Sequence, residues 1–149
     1  MSLQDKVMEE MKTAMKAKDK VALESLRAIK SALLLLKTDS GSGEEISAEA
    51  EIQIVQKLVK QRKDSAAIFI AQNRQDLADP ELAQIAIIEK FLPEQLSEEE
   101  IEKVVKQAIA STGAEGMKDM GKVMGIVSAE LAGKADGKTI SNLVKKNLI

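Results

Sequence analysis

Apolar residues recur at three- and four-residue steps along most of the chain, which is the spacing of helices with one buried face. The first of these runs begins after Ser2, which can cap a helix that has Asp5 at its third position. A second run begins after Asp19 and carries leucines as far as residue 36. The Thr-Asp-Ser-Gly-Ser-Gly stretch over residues 38–43 predicts a flexible loop that ends this second helix.

Start and stop signals divide the rest of the chain into five further helices. Ser47 caps the third helix, and Asp79 followed by Pro80 predicts the start of the fourth, because proline is favoured at the first helical position. Ser97 caps the fifth helix, and a glycine-bounded break over residues 133–137 separates the sixth from the seventh. No stretch alternates long enough for a strand, so the predicted fold class is all-α.

A domain boundary is predicted between the fourth and fifth helices. Proline, capping chemistry and a change of charge coincide in the segment from Leu92 to Leu96. We therefore expect an N-terminal four-helix domain over residues 1–93 and a C-terminal three-helix domain over residues 94–149.

Charge is unevenly distributed, although 22 Lys and Arg residues nearly balance 24 Asp and Glu residues. Residues 81–102 contain one Lys and seven acids, a net charge of −6, whereas residues 103–149 contain eight Lys and four acids, a net charge of +4. Because electrostatic fields depend on where charge is located, the terminal helices form the basic part of the molecule.

The composition excludes most familiar site chemistry. The 149 residues include no His, Cys, Trp or Tyr. Without His and Cys, the usual acid–base and thiolate sites cannot form, and zinc binding is not expected. The spacings of calcium loops and phosphate-binding glycine loops are also missing from the sequence. We expect no metal and no cofactor.

Carboxylates offer no convincing catalytic site either. Glu98, Glu99 and Glu100 occupy the predicted first turn of the fifth helix, where the helix dipole favours negative charge without any chemistry. We therefore predict no catalytic residue.

No apolar run reaches the roughly 18 residues of a membrane span, and the N-terminus enters a charged helical pattern directly. A cytoplasmic protein without a membrane partner is expected.

The predicted sixth helix has a face of small residues. With Met120 at the centre of its apolar stripe, the roughly 100° step per residue places Gly121, Gly125 and Ala129 on the opposite side. Glycine inside a helix costs about 0.5–1 kcal/mol relative to alanine, so this face predicts a close approach. The approaching object is the seventh helix, a partner helix or a phosphate backbone, and the residues alone do not choose among them.

Six lysines flank this small face or follow it in the sequence: Lys118, Lys122, Lys134, Lys138, Lys145 and Lys146. One interpretation is a solvated basic surface, since exposure is the usual state of lysine. The other is nucleic-acid binding through phosphate contacts, because the C-terminal part has no aromatic side chain on which bases stack.

The C-terminal residues resemble the GatB/YqeY family. Its terminal signature is similar to residues 117–125 (MKDMGKVMG), residues 133–138 (GKADGK) and the closing residues 140–148. Four earlier stretches resemble the stand-alone YqeY members: RAIK at 27–30, KQRKDS at 60–65, RQDL at 74–77 and FLPEQL at 91–96. The resemblance covers nearly the whole chain.

This resemblance implies an N-terminal four-helix part and a C-terminal three-helix GatB/YqeY-type module. The module is similar to the tail of the B subunit of the glutamine-dependent tRNA amidotransferase, where it helps to hold tRNA. The family label is therefore carbon–nitrogen ligase with glutamine as amido-N-donor. The glutaminase and phosphate-activating centres belong to other parts of that complex, and no segment of this chain resembles them.

We accordingly expect a tRNA-related accessory protein that is not catalytic by itself, with the six lysines as RNA-binding candidates and with no DNA partner. The alternative is a helical adaptor for protein–protein interaction without RNA binding. Such an adaptor would use the small face of the sixth helix or the leucines at the end of the second. Direct participation in transamidation is a third interpretation.

Overall fold

Seven α-helices make up most of the chain in a computed structural model, which describes residues 2–39 and 46–149. Their bounds are α1 Leu3–Ala17, α2 Lys20–Asp39, α3 Ala48–Ala71, α4 Gln75–Ile88, α5 Glu98–Thr112, α6 Met120–Glu130 and α7 Gly137–Leu148. Short 3₁₀ turns follow α4 and precede α6, at Glu89–Phe91 and Met117–Asp119. The described residues contain no strand, which confirms the all-α prediction.

Side-chain caps confirm three of the predicted helix starts. The Ser2 hydroxyl accepts from the Asp5 N–H at 3.2 Å, and the Asp5 carboxylate accepts from the Ser2 N–H at 3.3 Å, which is a capping box. The hydroxyl of Ser47 caps α3 at 3.1 Å, and that of Ser97 caps α5 at 3.2 Å. A cap of this kind stabilises a helix by about 1 kcal/mol.

The second helix extends further than the sequence predicts. Thr38 and Asp39 are helical, so the predicted loop is wrong at these two residues. The Thr38 hydroxyl donates to the Leu34 carbonyl at 2.9 Å, which satisfies this polar side chain within the last turn. The other residues of the predicted loop, 40–43, lie outside the described part of the chain.

The fourth helix begins at Gln75 rather than at Pro80, so the predicted start is wrong. The Arg74 guanidinium binds the Asp76 carboxylate at 2.9 and 3.0 Å beside this first turn. That hydrogen bond favours the ionised carboxylate and lowers the pKa of Asp76 below its ordinary value. Ala78 is completely buried, so the packing of this turn outweighs the cost of proline inside the helix.

Replacing Pro80 by alanine is expected to stabilise the protein by about 1–2 kcal/mol. Alanine restores an N–H that can donate to the Asp76 carbonyl, four residues earlier in α4. The midpoint of urea unfolding measures the gain. Pro80→Gly restores the same donor with poorer helix propensity and should gain less. A loss of stability in Pro80→Ala would instead mean that the helix begins at residue 80 in solution.

The chain forms two compact units, residues 1–92 and 93–149. In the first unit, α1 packs on α2, α3 packs on α4, and α2 contacts both α3 and α4. Leu26, Ile29, Val55 and Ile88 lie at the centre of this core, each with at most 1% of its surface exposed.

In the second unit, α5, α6 and α7 contact one another. Their apolar faces surround four completely buried valines at positions 105, 123, 127 and 144. None of the described helices has the length and apolar character needed to cross a membrane.

Candidate nucleic-acid interface

The six candidate lysines are distributed over several elements of the second unit, and all of them are exposed. They occupy the 3₁₀ turn before α6 (Lys118), the first turn of α6 (Lys122), the connection between α6 and α7 (Lys134), the first turn of α7 (Lys138) and its last turn (Lys145 and Lys146).

One face of α7 presents two of these lysines directly away from the core. Ile140 and Val144 are buried, and the helical step places Lys138 and Lys145 on the opposite side. The two lysines are seven helical steps apart, which corresponds to roughly 10 Å along the axis. Neither has an ion-pair partner among the described residues. This face therefore offers two cationic contact points on one rigid element.

Lys146 differs from the other five candidates because it lies on the side of α7 that faces α5. Its Nζ is 3.6 Å from Oε1 of Glu102. The Asn147 amide donates to the same oxygen at 3.4 Å and to the Leu143 carbonyl at 2.7 Å. The Lys146 side chain is 70% exposed, so the ion pair is weak and screened by solvent.

The small face of α6 is open. Gly121, Gly125 and Ala129 are all exposed. Apart from its two chain neighbours and the adjoining backbone of α6, a methyl group added at either glycine would meet no atom of the described chain within 4 Å. The seventh helix is therefore not the object that approaches this face. Of the expected approaches, a partner helix and a phosphate backbone remain, and Lys122 lies directly after the first of the two glycines.

Lys134 lies in the connection from α6 to α7. Its backbone is hydrogen-bonded, while its side chain is exposed. The Lys134 N–H donates to the Leu131 carbonyl at 2.8 Å. Two residues later, the Asp136 carboxylate caps α7 by accepting from the Thr139 N–H at 2.6 Å. Such a cap stabilises the start of the helix directly after the connection.

The residues before α5 hold the same connection from the other side. The Gln95 side-chain amide donates to the Gly133 carbonyl at 2.7 Å. The Leu96 N–H donates to the Lys134 carbonyl at 2.9 Å. Helical periodicity and motif spacing predict no role for Gln95. Its only signal in the sequence was the FLPEQL stretch that resembles the family.

The lysines do not form one compact cluster. Because α6 and α7 pack together and are joined by six residues, Lys134 and Lys138 lie where α6 ends and α7 begins. Lys122 lies two turns earlier, roughly 12 Å from that end along α6. A basic surface spread along two helices suits a polymer with repeating negative charges better than it suits a single small anion.

The structure offers no metal-binding group among the described residues, since no three of their carboxylates come together in a way that could hold an ion. Glu98, Glu99 and Glu100 occupy the first turn of α5 and are exposed, as the sequence predicts.

Known proteins resemble this chain over two different lengths. The profile of the family described as Yqey-like protein matches residues 4–148. "Altered inheritance of mitochondria protein 41, mitochondrial" of Pyrenophora tritici-repentis is 29% identical over 141 residues, 92% of this chain and 76% of that protein. The protein of the same name from Meyerozyma guilliermondii is 31% identical over 79% of this chain and 62% of its own length.

A shorter similarity involves a much larger protein. One of the subunits of the glutamyl-tRNA(Gln) amidotransferase of Thermococcus gammatolerans is 47% identical over 57 residues. The match spans 36% of this chain and only 9% of that larger protein.

Proposed function

The chain belongs to the YqeY-like protein family, and from that premise we propose that it is a tRNA-related accessory protein that grips RNA phosphates with its C-terminal unit. The observation that carries the proposal is the array of exposed lysines on α6, α7 and their connection. Five of the six have no ion-pair partner among the described residues. The similarity to a protein named for glutamyl-tRNA(Gln) amidotransferase supports RNA as the polyanion.

The grip is electrostatic and does not read bases. Phe69 and Phe91, the two aromatic residues of the sequence, both precede the C-terminal unit. Without stacking platforms, binding depends on phosphate contacts and on the shape of the folded RNA.

The protein would hold or orient tRNA for a carbon–nitrogen ligase that uses glutamine as amido-N-donor. Pure protein mixed with mischarged tRNA, glutamine and ATP should give no transamidated product.

We also propose that the two units are separate domains, of four helices over residues 1–93 and three helices over residues 94–149. Support comes from the two buried cores, which have no residue in common. For location we propose the cytoplasm, with which a chain without Cys agrees. The names of the Pyrenophora and Meyerozyma relatives place those proteins in mitochondria.

Binding of tRNA is expected to fall steeply with salt. If all six lysines contact phosphates, the logarithm of the binding constant should fall against the logarithm of salt concentration with a slope of about −5. Between 50 and 200 mM salt, this slope corresponds to a loss of roughly 10³-fold. Titration of the protein into labelled bulk tRNA measures the slope, and duplex DNA of similar charge tests the preference for RNA.

Two results of this titration would contradict the proposal. One is the absence of tRNA binding at low salt. The other is binding that does not change with salt, because phosphate contacts release counterions and cannot be salt-independent.

The second candidate function, a helical adaptor for another protein, is favoured by the open small face of α6. It is also favoured by Leu34 and Leu35 at the end of α2, which are 50% and 65% exposed. A stoichiometric protein partner that is lost in Gly125→Leu and kept in the lysine variants would support this function. Gly125→Leu is a fair probe, because no atom of the described chain would clash with its first side-chain carbon.

A further inference from the structure

Two hydrogen bonds join the residues before α5, which we call the strap (residues 93–97), to the connection between α6 and α7. The Gln95 amide nitrogen donates to the Gly133 carbonyl at 2.7 Å, and it also donates to the Pro93 carbonyl within the strap at 2.7 Å. The Leu96 N–H donates to the Lys134 carbonyl at 2.9 Å. The Leu96 side chain packs against the core of the unit, so the strap is anchored beside its hydrogen bonds.

The segment that the strap holds has an unusual backbone. Gly133 is buried and has φ +79°, a conformation that side chains other than glycine rarely adopt. Glycine has many accessible backbone conformations. The α6–α7 connection therefore keeps this one only if contacts with neighbouring residues stabilise it. The Gly133 carbonyl accepts from Gln95, and the loss of that donor would leave a partly buried acceptor without this partner.

We propose that Gln95 is a positioning residue for Lys134. It holds the carbonyl that precedes Lys134, while the Leu96 N–H holds the carbonyl of Lys134 itself. The backbone of Lys134 is thereby ordered before any ligand arrives, and its exposed side chain meets a phosphate without the cost of ordering the connection. This role rests on the proposed function, because it requires an RNA phosphate at Lys134.

The test uses Gln95→Met, which keeps the length of the side chain and removes both donors. Gln107→Met is the matched control, since Gln107 is exposed on α5 and makes no hydrogen bond through its side chain within the described chain. In Gln95→Met, the amides of Leu96 and Lys134 should exchange with deuterium faster, while the amide of Val105 in α5 should not change. Gln95→Ala, a second variant without donors, should act in the same direction.

Measurements of tRNA binding then distinguish a positioning role of Gln95 from a general destabilisation of the second unit. Gln95→Met should reduce the salt slope by about 1 and weaken binding at 0.1 M salt roughly five- to tenfold. In a Lys134→Gln background, where the contact is already lost, the same substitution should add nothing. The Gln107→Met control should match the unchanged protein in both backgrounds.

The outcomes distinguish this proposal from the function on which it rests. If the unchanged protein does not bind tRNA, the proposed function fails, and the role of Gln95 toward RNA fails with it. If tRNA binds but Gln95→Met leaves the slope and the exchange of Leu96 and Lys134 unchanged, only the role of Gln95 is overturned. An equal loss of binding with and without Lys134 also overturns it, because that result indicates a merely structural effect.

Discussion

Replacing Lys138 and Lys145 together by glutamine is expected to weaken tRNA binding roughly 50-fold at 0.1 M salt. The two side chains lie on the outer face of α7, opposite buried Ile140 and Val144, so both reach solvent from a rigid helix. Each phosphate contact that is lost should lower the magnitude of the salt slope by about 1, so the double variant should lower it by about 2. Fluorescence titration with tRNA at several salt concentrations measures both quantities.

A control variant must distinguish the effect of net charge alone on tRNA binding from the loss of a specific contact surface. Lys12→Gln with Lys16→Gln removes the same charge from exposed positions on α1, and its salt slope should equal that of the unchanged protein. Lys146→Gln should lose less than either outer lysine, because Lys146 already pairs with Glu102. If the α1 variant loses as much binding as the α7 variant, the C-terminal unit is not the RNA interface.

Ile29→Ala is expected to destabilise the first unit by about 2–5 kcal/mol and to leave the second unit unaffected. Ile29 is completely buried in the core formed by α1 to α4, and truncation leaves a cavity there. The second core contains none of these residues, so protection in α5 to α7 should persist. Hydrogen exchange resolved by residue, measured at increasing urea concentrations, reports both units in one experiment.

Leu35→Ala is the control for this experiment. It truncates an aliphatic side chain of the same size on the same helix, but Leu35 is 65% exposed, so the change in stability should stay within about 0.5 kcal/mol. An equal loss of protection in both units of Ile29→Ala would show that the whole chain unfolds as one cooperative body. That result would contradict the proposal of two domains.

Most helix starts could be predicted from the sequence, because they depend on hydrogen bonds between residues close in the chain. Ser2, Ser47 and Ser97 each bond to an N–H three residues later, so the residues that decide these starts are neighbours in the chain. The start of α4 is different. Asp79 and Pro80 form a good local start signal, but α4 begins at Gln75, and Ala78 near its start is completely buried. A local sequence pattern does not show how strongly a residue will be buried in the folded chain, so the start of α4 could not be predicted from it.

The same division applies to the candidate site. The sequence by itself determined the all-α class, the apolar stripes and the face of α6 that carries small residues, because these follow from a helical period within a few residues. Only the tertiary structure decided that Lys146 pairs with Glu102, that the small face of α6 stays open, and that Gln95 holds Gly133 from 38 residues away. The physical reason is that each of these depends on which distant segments meet, and helical periodicity carries no information about that.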